Sequence, residues 1–163
     1  YMRFCLAKTV PMISLNCVRA APLRADTERE ATMGEIGGKP HQKFTYSHLE
    51  DDSFEEGLRA YAKYRDLGMV EATSGMVRAH VIKLLPPFDA GEVSKRHKHD
   101  VQFQFLYCLK GWMKGEYDGQ EVVMREGSCW LQPPNIEHTV LGYSDDCELL
   151  EIIMPADFDT KEL

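Results

Sequence analysis

The chain has 163 residues, of which 44% are hydrophobic and 28% are charged, and its formal net charge is −7 at pH 7. This length and composition predict one globular domain with its own core. The acidic balance argues against nucleic acid or an anionic membrane surface as a partner, because both require a basic face. No apolar run reaches the roughly 18 residues needed to cross a bilayer.

The first 50 residues show no regular pattern and predict an N-terminal arm. Residues 1–21 contain short apolar runs, such as 10–18, which could add an edge strand or pair with a second subunit. Residues 22–47 are rich in Pro, Gly and charged residues, as in a connecting segment. We therefore predict an arm over residues 1–50, open to exchange between the subunits of a dimer, and a single domain over residues 51–163.

The sequence shows neither a clear secretory signal nor a cysteine pattern typical of disulfides or zinc sites. Lys8, Pro11 and Asn16 interrupt the apolar centre that a secretory signal would need. The cysteines have no short paired spacing, so neither a disulfide framework nor a thiolate zinc site is indicated. A reducing compartment fits best, and we predict a cytoplasmic location.

One short helix is predicted over residues 54–61. Asp51, Asp52 and Ser53 precede it as capping residues, and Glu55 and Glu56 place acids in its first turn.

From about residue 64 onward the pattern predicts strands and turns. The run 76–85 is rich in β-branched and apolar residues and stops at two prolines, which cannot continue a ladder. Asp118 and Gly119 form a strong hairpin signal. The predicted strands are 76–85, 102–109, 112–117, 121–124, 128–132, 138–141 and 147–154. Many short strands with Gly and Pro turns are typical of a sandwich or small barrel.

A His-x-His pair is the feature that indicates chemistry. His97 and His99 project from the same face of an extended strand, because strand side chains alternate. A third ligand must come from elsewhere in the chain. His138 is the natural candidate, since it follows a Gly-to-Pro-Pro segment that turns the chain into its next strand. Taken alone, the pair also fits solvated surface histidines.

The spacing of these residues resembles the two motifs of the cupin superfamily. The positions that match the first motif are Gly91, His97, His99 and Gly111, with Gln104 in the place of the usual Glu. The positions that match the second are Gly127, Pro133 and His138, while Asn135 and Gly142 replace a usual Gly and Asn. The resemblance covers roughly residues 76–155. It implies an all-β fold, a double-stranded β-helix (jelly-roll) barrel whose open end holds a metal.

The resemblance also implies one divalent transition metal ion, bound by His97, His99, Gln104 and His138. Iron, manganese, nickel and zinc all accept imidazole ligands, so the sequence does not choose among them. Gln104 could instead hydrogen-bond a metal-bound water or the substrate. Three neutral imidazoles and a neutral amide would leave the ion its full charge, which favours an anionic substrate.

The alternation of strand side chains predicts a corner after the histidines. His97 and His99 are odd-numbered and Gln104 is even-numbered, so all three face inward only if the chain bends between Asp100 and Phe103. After the bend, Gln104 shares the inner face with residues 106 and 108.

Three side chains are candidates for a catalytic role: Gln104, His80 and Glu151. His80 could act as a proton shuttle and Glu151 as a general base. The structural alternatives are a satisfied core or edge histidine and a solvated or interface carboxylate.

The resemblance favours a mononuclear non-haem metal dioxygenase that acts on a small enolisable, phenolic or carboxylate molecule. Two alternatives stay open. One is a redox-neutral isomerase, cyclase or lyase, in which the ion polarises a carbonyl. The other is a non-catalytic cupin that binds a small ligand, because fold alone does not fix function. A homodimer is expected, because cupins commonly pair through strands and exposed strand edges need cover.

Overall fold

The computed structural model describes residues 41–50, 53–57 and 59–163. Predictions that fall on residues 1–40, including the apolar run 10–18, lie outside the described residues. Residues 41–50 contain neither helix nor strand. The division into an arm and a domain at residue 50 remains a prediction.

Strands dominate the described part of the chain, with two helices of four residues each. The strands are β1 (Glu55–Glu56), β2 (Ala62–Asp66), β3 (Arg78–Leu84), β4 (His97–Asp100), β5 (Phe103–Lys110), β6 (Trp112–Tyr117), β7 (Gln120–Arg125), β8 (Cys129–Leu131), β9 (His138–Tyr143), β10 (Glu148–Met154) and β11 (Asp159–Glu162). The helices are α1 (Met69–Ala72) and α2 (Ala90–Val93). Neither they nor any other described helix has the length and apolar character to traverse a membrane.

The strands form two sheets. One has six strands in the order β1-β2-β3-β10-β5-β8, and the other has five in the order β11-β4-β9-β6-β7. All described pairings are antiparallel. Two antiparallel sheets with consecutive strands exchanged between them are typical of a jelly roll, which confirms the predicted all-β class.

The core lies between the two sheets because one face of each strand is apolar. In β10, burial alternates residue by residue, so Leu149 and Ile153 point inward. Leu106 and Cys108 from β5 pack into the same core as Met113 from β6. Period-two alternation of this kind is what makes strands readable from sequence.

The predicted corner is confirmed. β4 ends at Asp100 in the five-stranded sheet, and β5 begins at Phe103 in the six-stranded sheet. Gln104 then faces inward and is 3% exposed, whereas the neighbouring Phe103 is 38% exposed. The two-residue break therefore moves the chain from one sheet to the other. It also changes the inward-facing side chains from odd-numbered residues in β4 to even-numbered residues in β5.

The predicted helix over residues 54–61 is wrong for the residues that the structure describes. Glu55 and Glu56 form β1, which pairs with Tyr64 and Lys63 of β2. The physical reason is length, since a segment of eight residues gains too few intrahelical hydrogen bonds to offset nucleation. Pairing with β2 satisfies its backbone instead.

Candidate metal centre

Three histidines from two neighbouring strands converge on one point. His97 on β4 is the register partner of His138 on β9. The ring centroids of these two are 4.3 Å apart, and the His99 ring lies 5.0 Å from His97 and 5.1 Å from His138. In the described part of the chain these three form the group whose ligand atoms, all within 4.8 Å of one another, could hold a metal ion.

Each ring is fixed by a hydrogen bond at Nδ1. The Nδ1 of His97 lies 2.8 Å from the carbonyl oxygen of Lys95, and that of His138 lies 3.0 Å from the carbonyl oxygen of Ile136. A carbonyl only accepts, so both rings carry the proton on Nδ1 and present the Nε2 lone pair. The Nδ1 of His99 lies 2.9 Å from the hydroxyl of Thr160 on β11. Such outer contacts orient metal-binding imidazoles.

The histidines are kept neutral by their surroundings. Burial, and after it the neighbouring imidazoles of His138 and His97, lower the pKa of His99 to about 4. Burial likewise lowers the pKa of His138 to about 4 and the pKa of His97 below its ordinary value. Neutral imidazoles need lose no proton before they bind an ion. The donor set therefore fits a divalent transition metal.

A second polar group lies on the six-stranded sheet. Glu151 on β10 is buried, and its Oε2 lies 2.7 Å from Nε2 of His80 on β3. The amide Nε2 of Gln104 donates to the other carboxylate oxygen, Oε1, over 2.7 Å. The three predicted catalytic candidates are thus joined in one hydrogen-bonded group, which we call the Glu151 triad (His80, Gln104 and Glu151).

The Glu151 triad corrects the electrostatic expectation for the site. The sequence predicted a neutral amide in place of an acid, but Gln104 bonds a buried carboxylate that lines the same cavity as the histidines. Burial alone would raise the pKa of Glu151, but the hydrogen bonds that its carboxylate accepts from His80 and Gln104 lower it below its ordinary value. The carboxylate is therefore not the solvated or interface group that the structural alternative for Glu151 assumed.

The histidines and the Glu151 triad line one cavity of about 590 Å³. Its apolar walls come from strands of both sheets. The apolar side chains that line it include Ile82, Leu84, Leu106, Met113, Val140 and Leu149. Tyr117 also lines it, and burial raises the pKa of this phenol to about 12, so its hydroxyl stays neutral. A cavity of this size with a few convergent polar groups is typical of a small-molecule site.

Comparison with known proteins identifies the family of one part of the chain. Residues 87–153 match the family model for the cupin domain. These residues form a cupin domain. They include His97, His99, Gln104, His138 and Glu151, so every candidate site residue except His80 lies within the match.

Several solved structures share the fold. The polyketide cyclase RemF from Streptomyces resistomycificus is 16% identical, with a TM-score of 0.59 over 74% of this chain and 86% of that one. KdgF from Halomonas sp. is 17% identical, with a TM-score of 0.54 over 69% and 93%. Salicylate 1,2-dioxygenase from Pseudaminobacter salicylatoxidans is 10% identical, with a TM-score of 0.53 over 66% of this chain and 32% of that one. The present chain thus spans about a third of the dioxygenase. Identities this low show a common fold alone. Among curated proteins, none matches the chain.

Several residues that line the cavity were not singled out from the sequence. Arg59, Tyr64 and Gln132 line it, and Thr160 both lines it and contacts His99. Thr160 lies in a short polar strand without apolar alternation, so no local signal marked it. Arg59 lies in a segment that was predicted to be helical, and a helix would have pointed its side chain elsewhere.

Proposed function

We propose that this cupin is a metal-dependent enzyme, a mononuclear non-haem dioxygenase that acts on a small enolisable, phenolic or carboxylate molecule. The observation that carries the proposal is the convergence of three neutral imidazoles on the wall of a cavity that also contains a buried proton-transfer group. Three protein ligands leave other coordination positions open, as metal catalysis requires.

His97, His99 and His138 would hold one divalent ion, for which iron, manganese, nickel and zinc remain candidates. When bound, the ion would supply Lewis-acid polarisation of an anionic oxygen on the substrate and, if it is redox-active, electron transfer with O2. The remaining side chains position the substrate and move its proton. We place Gln104 outside the ligand set, with its amide nitrogen bonded to Glu151. Its amide oxygen, the atom through which an amide binds an ion, takes no part in that bond.

His80 is the group we assign to proton transfer. Glu151 is ionised and accepts from Nε2 of His80, which leaves the Nδ1 lone pair as the acceptor on that ring. A proton taken from a substrate hydroxyl or activated carbon at Nδ1 would create an imidazolium, and the adjacent carboxylate stabilises that charge. This is the arrangement by which a carboxylate supports a histidine base.

A second candidate is a redox-neutral isomerase, cyclase or lyase. The His80–Glu151 pair favours it, because such a reaction needs a base beside a polarised carbonyl. The fold is found in both a dioxygenase and a polyketide cyclase. A role in ligand binding alone would not require this buried His80–Glu151 pair, so we favour catalysis.

The two candidates separate on oxygen dependence. Protein reconstituted with Fe(II) is given a panel of phenolic acids and 1,3-dicarbonyl compounds, and O2 uptake is followed. Protein loaded with Zn(II) is given the same panel without oxygen in D2O, and exchange at the acidic carbon is followed. O2 uptake that requires both iron and substrate supports the dioxygenase. Exchange or rearrangement without O2 supports the second candidate, and neither activity over a broad panel would contradict both.

We also propose a homodimer that acts in the cytoplasm. Apolar side chains on the outer face of β5 and the adjacent edge strand β8 are exposed, among them Phe103, Tyr107 and Leu131. A second copy would cover both this face and the strand edge. Cys108 and Cys147 are buried free thiols, which agrees with a reducing compartment. Light scattering coupled to gel filtration measures the mass, and a monomer at micromolar concentration would contradict the dimer.

A further inference from the structure

Arg59 places a positive charge at the cavity beside the histidines. It precedes β2, lines the cavity, and its side chain is 19% exposed. Arginine is rarely this buried unless it is paired, so the partners of its guanidinium decide its role.

Strand β11 links Arg59 to the strand that carries His97 and His99. In the β4–β11 pairing, Thr160 is opposite His99 and Glu162 is opposite His97. Residues 160 and 162 share one face of the strand, and Thr160 contacts the His99 ring, so Glu162 lies on the histidine side. The guanidinium of Arg59 donates through one terminal nitrogen to Oε1 of Glu162 over 3.2 Å.

Most of the hydrogen-bonding capacity of Arg59 is unused within the described chain. A guanidinium has five N–H donors in a planar fork, and Glu162 is its one hydrogen-bond partner among the described residues. Glu162 is itself 60% exposed, so water screens this pair. A planar fork with free donors at a cavity matches a carboxylate, which it can bind through two parallel hydrogen bonds.

The cavity contains other charged groups besides Arg59. Arg78 also lines it from the six-stranded sheet and donates through Nε to the carbonyl of Ala156, whereas the partner of Arg59, Glu162, lies opposite His97. Glu151 is held by His80 and Gln104. The remaining acids are exposed: Glu55, Glu56, Asp66 and Asp157.

We infer that Arg59 is the anchor for a substrate carboxylate, so that the substrate is a small organic acid whose neighbouring enol, phenol or keto oxygen faces the three histidines. This inference rests on the proposed function for the orientation of the substrate, that is, for which of its groups faces the histidines. The anchor itself needs no metal, because it acts through the guanidinium alone.

Matched acid and amide probes test the anchor. Salicylate is compared with salicylamide, and pyruvate with pyruvamide, by calorimetry on metal-free and Zn-loaded protein. The wild type should prefer the acid in each pair. Arg59→Met should weaken acid binding about tenfold or more, as expected for loss of a charge-assisted hydrogen bond, and leave amide binding unchanged. Arg59→Lys keeps the charge but lacks the planar fork of donors. Its affinity for the acid should therefore lie between those of the wild type and Arg59→Met.

Arg125→Met is the matched control, because Arg125 is exposed on β7 and does not line the cavity. It should bind both probes like the wild type. An unchanged acid preference in Arg59→Met and Arg59→Lys, or no acid preference in the wild type for either pair, would overturn the anchor.

The outcomes separate the anchor from the proposed function. If the histidines bind no metal but metal-free protein prefers acids through Arg59, the enzyme proposal falls and the anchor stands. If zinc binds at the histidines and Arg59→Met changes nothing, the anchor falls alone.

Discussion

His97 on β4 lies directly opposite His138 on β9, with their ring centroids 4.3 Å apart. The two residues are distant in sequence, so their approach depends on the correct pairing of these strands. Two of the three candidate ligands are thus brought together by one pair of opposing residues. His99 joins them because it lies two residues after His97 on β4. The fold and the candidate metal site therefore depend on the same pairing.

Replacing His97 by Ala should remove metal binding without unfolding the protein. Two imidazoles hold a divalent ion far more weakly than three, and the ring is not part of the apolar core. Metal content after gel filtration measures the first effect, and circular dichroism measures the second. His48→Ala is the control, because His48 is exposed and away from the cavity. Full metal occupancy in His97→Ala would contradict the ligand assignment.

Replacing Glu151 by Gln should lower kcat about a hundredfold or more with little change in KM or metal content. The amide cannot stabilise an imidazolium on His80, and general-base catalysis typically contributes at least this factor. Steady-state kinetics on the substrate found by the panel measure both constants. Glu148→Gln on the same strand should behave as the wild type. A matching loss of metal from Glu151→Gln would show that the carboxylate acts on the ion instead.

Replacing Gln104 by Glu should destabilise the protein, and more so at pH 8 than at pH 5. The new carboxylate would contact Glu151 where an amide now donates over 2.7 Å. Two carboxylates in contact share a proton, whose pKa is raised in the folded state. The proton restores a hydrogen bond at low pH and is lost as the pH rises through that raised pKa.

Urea unfolding at the two pH values measures this effect. We expect a loss of about 1–3 kcal/mol in the free energy of unfolding at pH 8 and a smaller loss at pH 5. Gln102→Glu is the control, since Gln102 is exposed in the corner between β4 and β5. A loss that is equal at both pH values would show that the two side chains do not interact.

The metal-free protein should lose stability as the pH falls from about 6.5 to about 4. Burial holds the pKa of His99 and His138 near 4 in the folded state, whereas their ordinary value is 6.5. Between these values the unfolded chain binds more protons than the folded one, so acid favours unfolding. Urea unfolding across this range measures the slope. His138→Gln should reduce it, and a slope equal to that of the wild type would contradict the assigned pKa of His138.

The sequence predicted most of the sheet framework because inner and outer residues alternate along the strands. The predicted strand 112–117 coincides with β6, and the other predicted strands overlap β3, β5, β7, β8, β9 and β10. Strand β11 was missed, because Asp159–Glu162 has no apolar alternation and is ordered by its pairing with β4. Strand β2 was missed, and β1 was read as a helix, because these polar and short segments gain their structure from long-range partners.

The residues of the candidate site that belong to a sequence motif were predictable. The contacts that depend on the register between distant strands were not. His97, His99 and His138 are marked by spacing, and parity alone required the corner before Gln104. The partnership of His80, Gln104 and Glu151 depends on β3 and β5 flanking β10, which no local pattern encodes. The sequence left two roles open for Gln104, metal coordination and a hydrogen bond to a metal-bound water or the substrate. The bond from its amide nitrogen to Glu151 is a further contact that neither role included.

The most direct test is a crystal structure of metal-loaded protein with anomalous data collected at the absorption edge of the added ion. We predict a single strong anomalous peak about 2.0–2.2 Å from Nε2 of each of His97, His99 and His138, with Glu151 outside the coordination shell. A peak elsewhere, or one that lacks the ring of His138, would contradict the account.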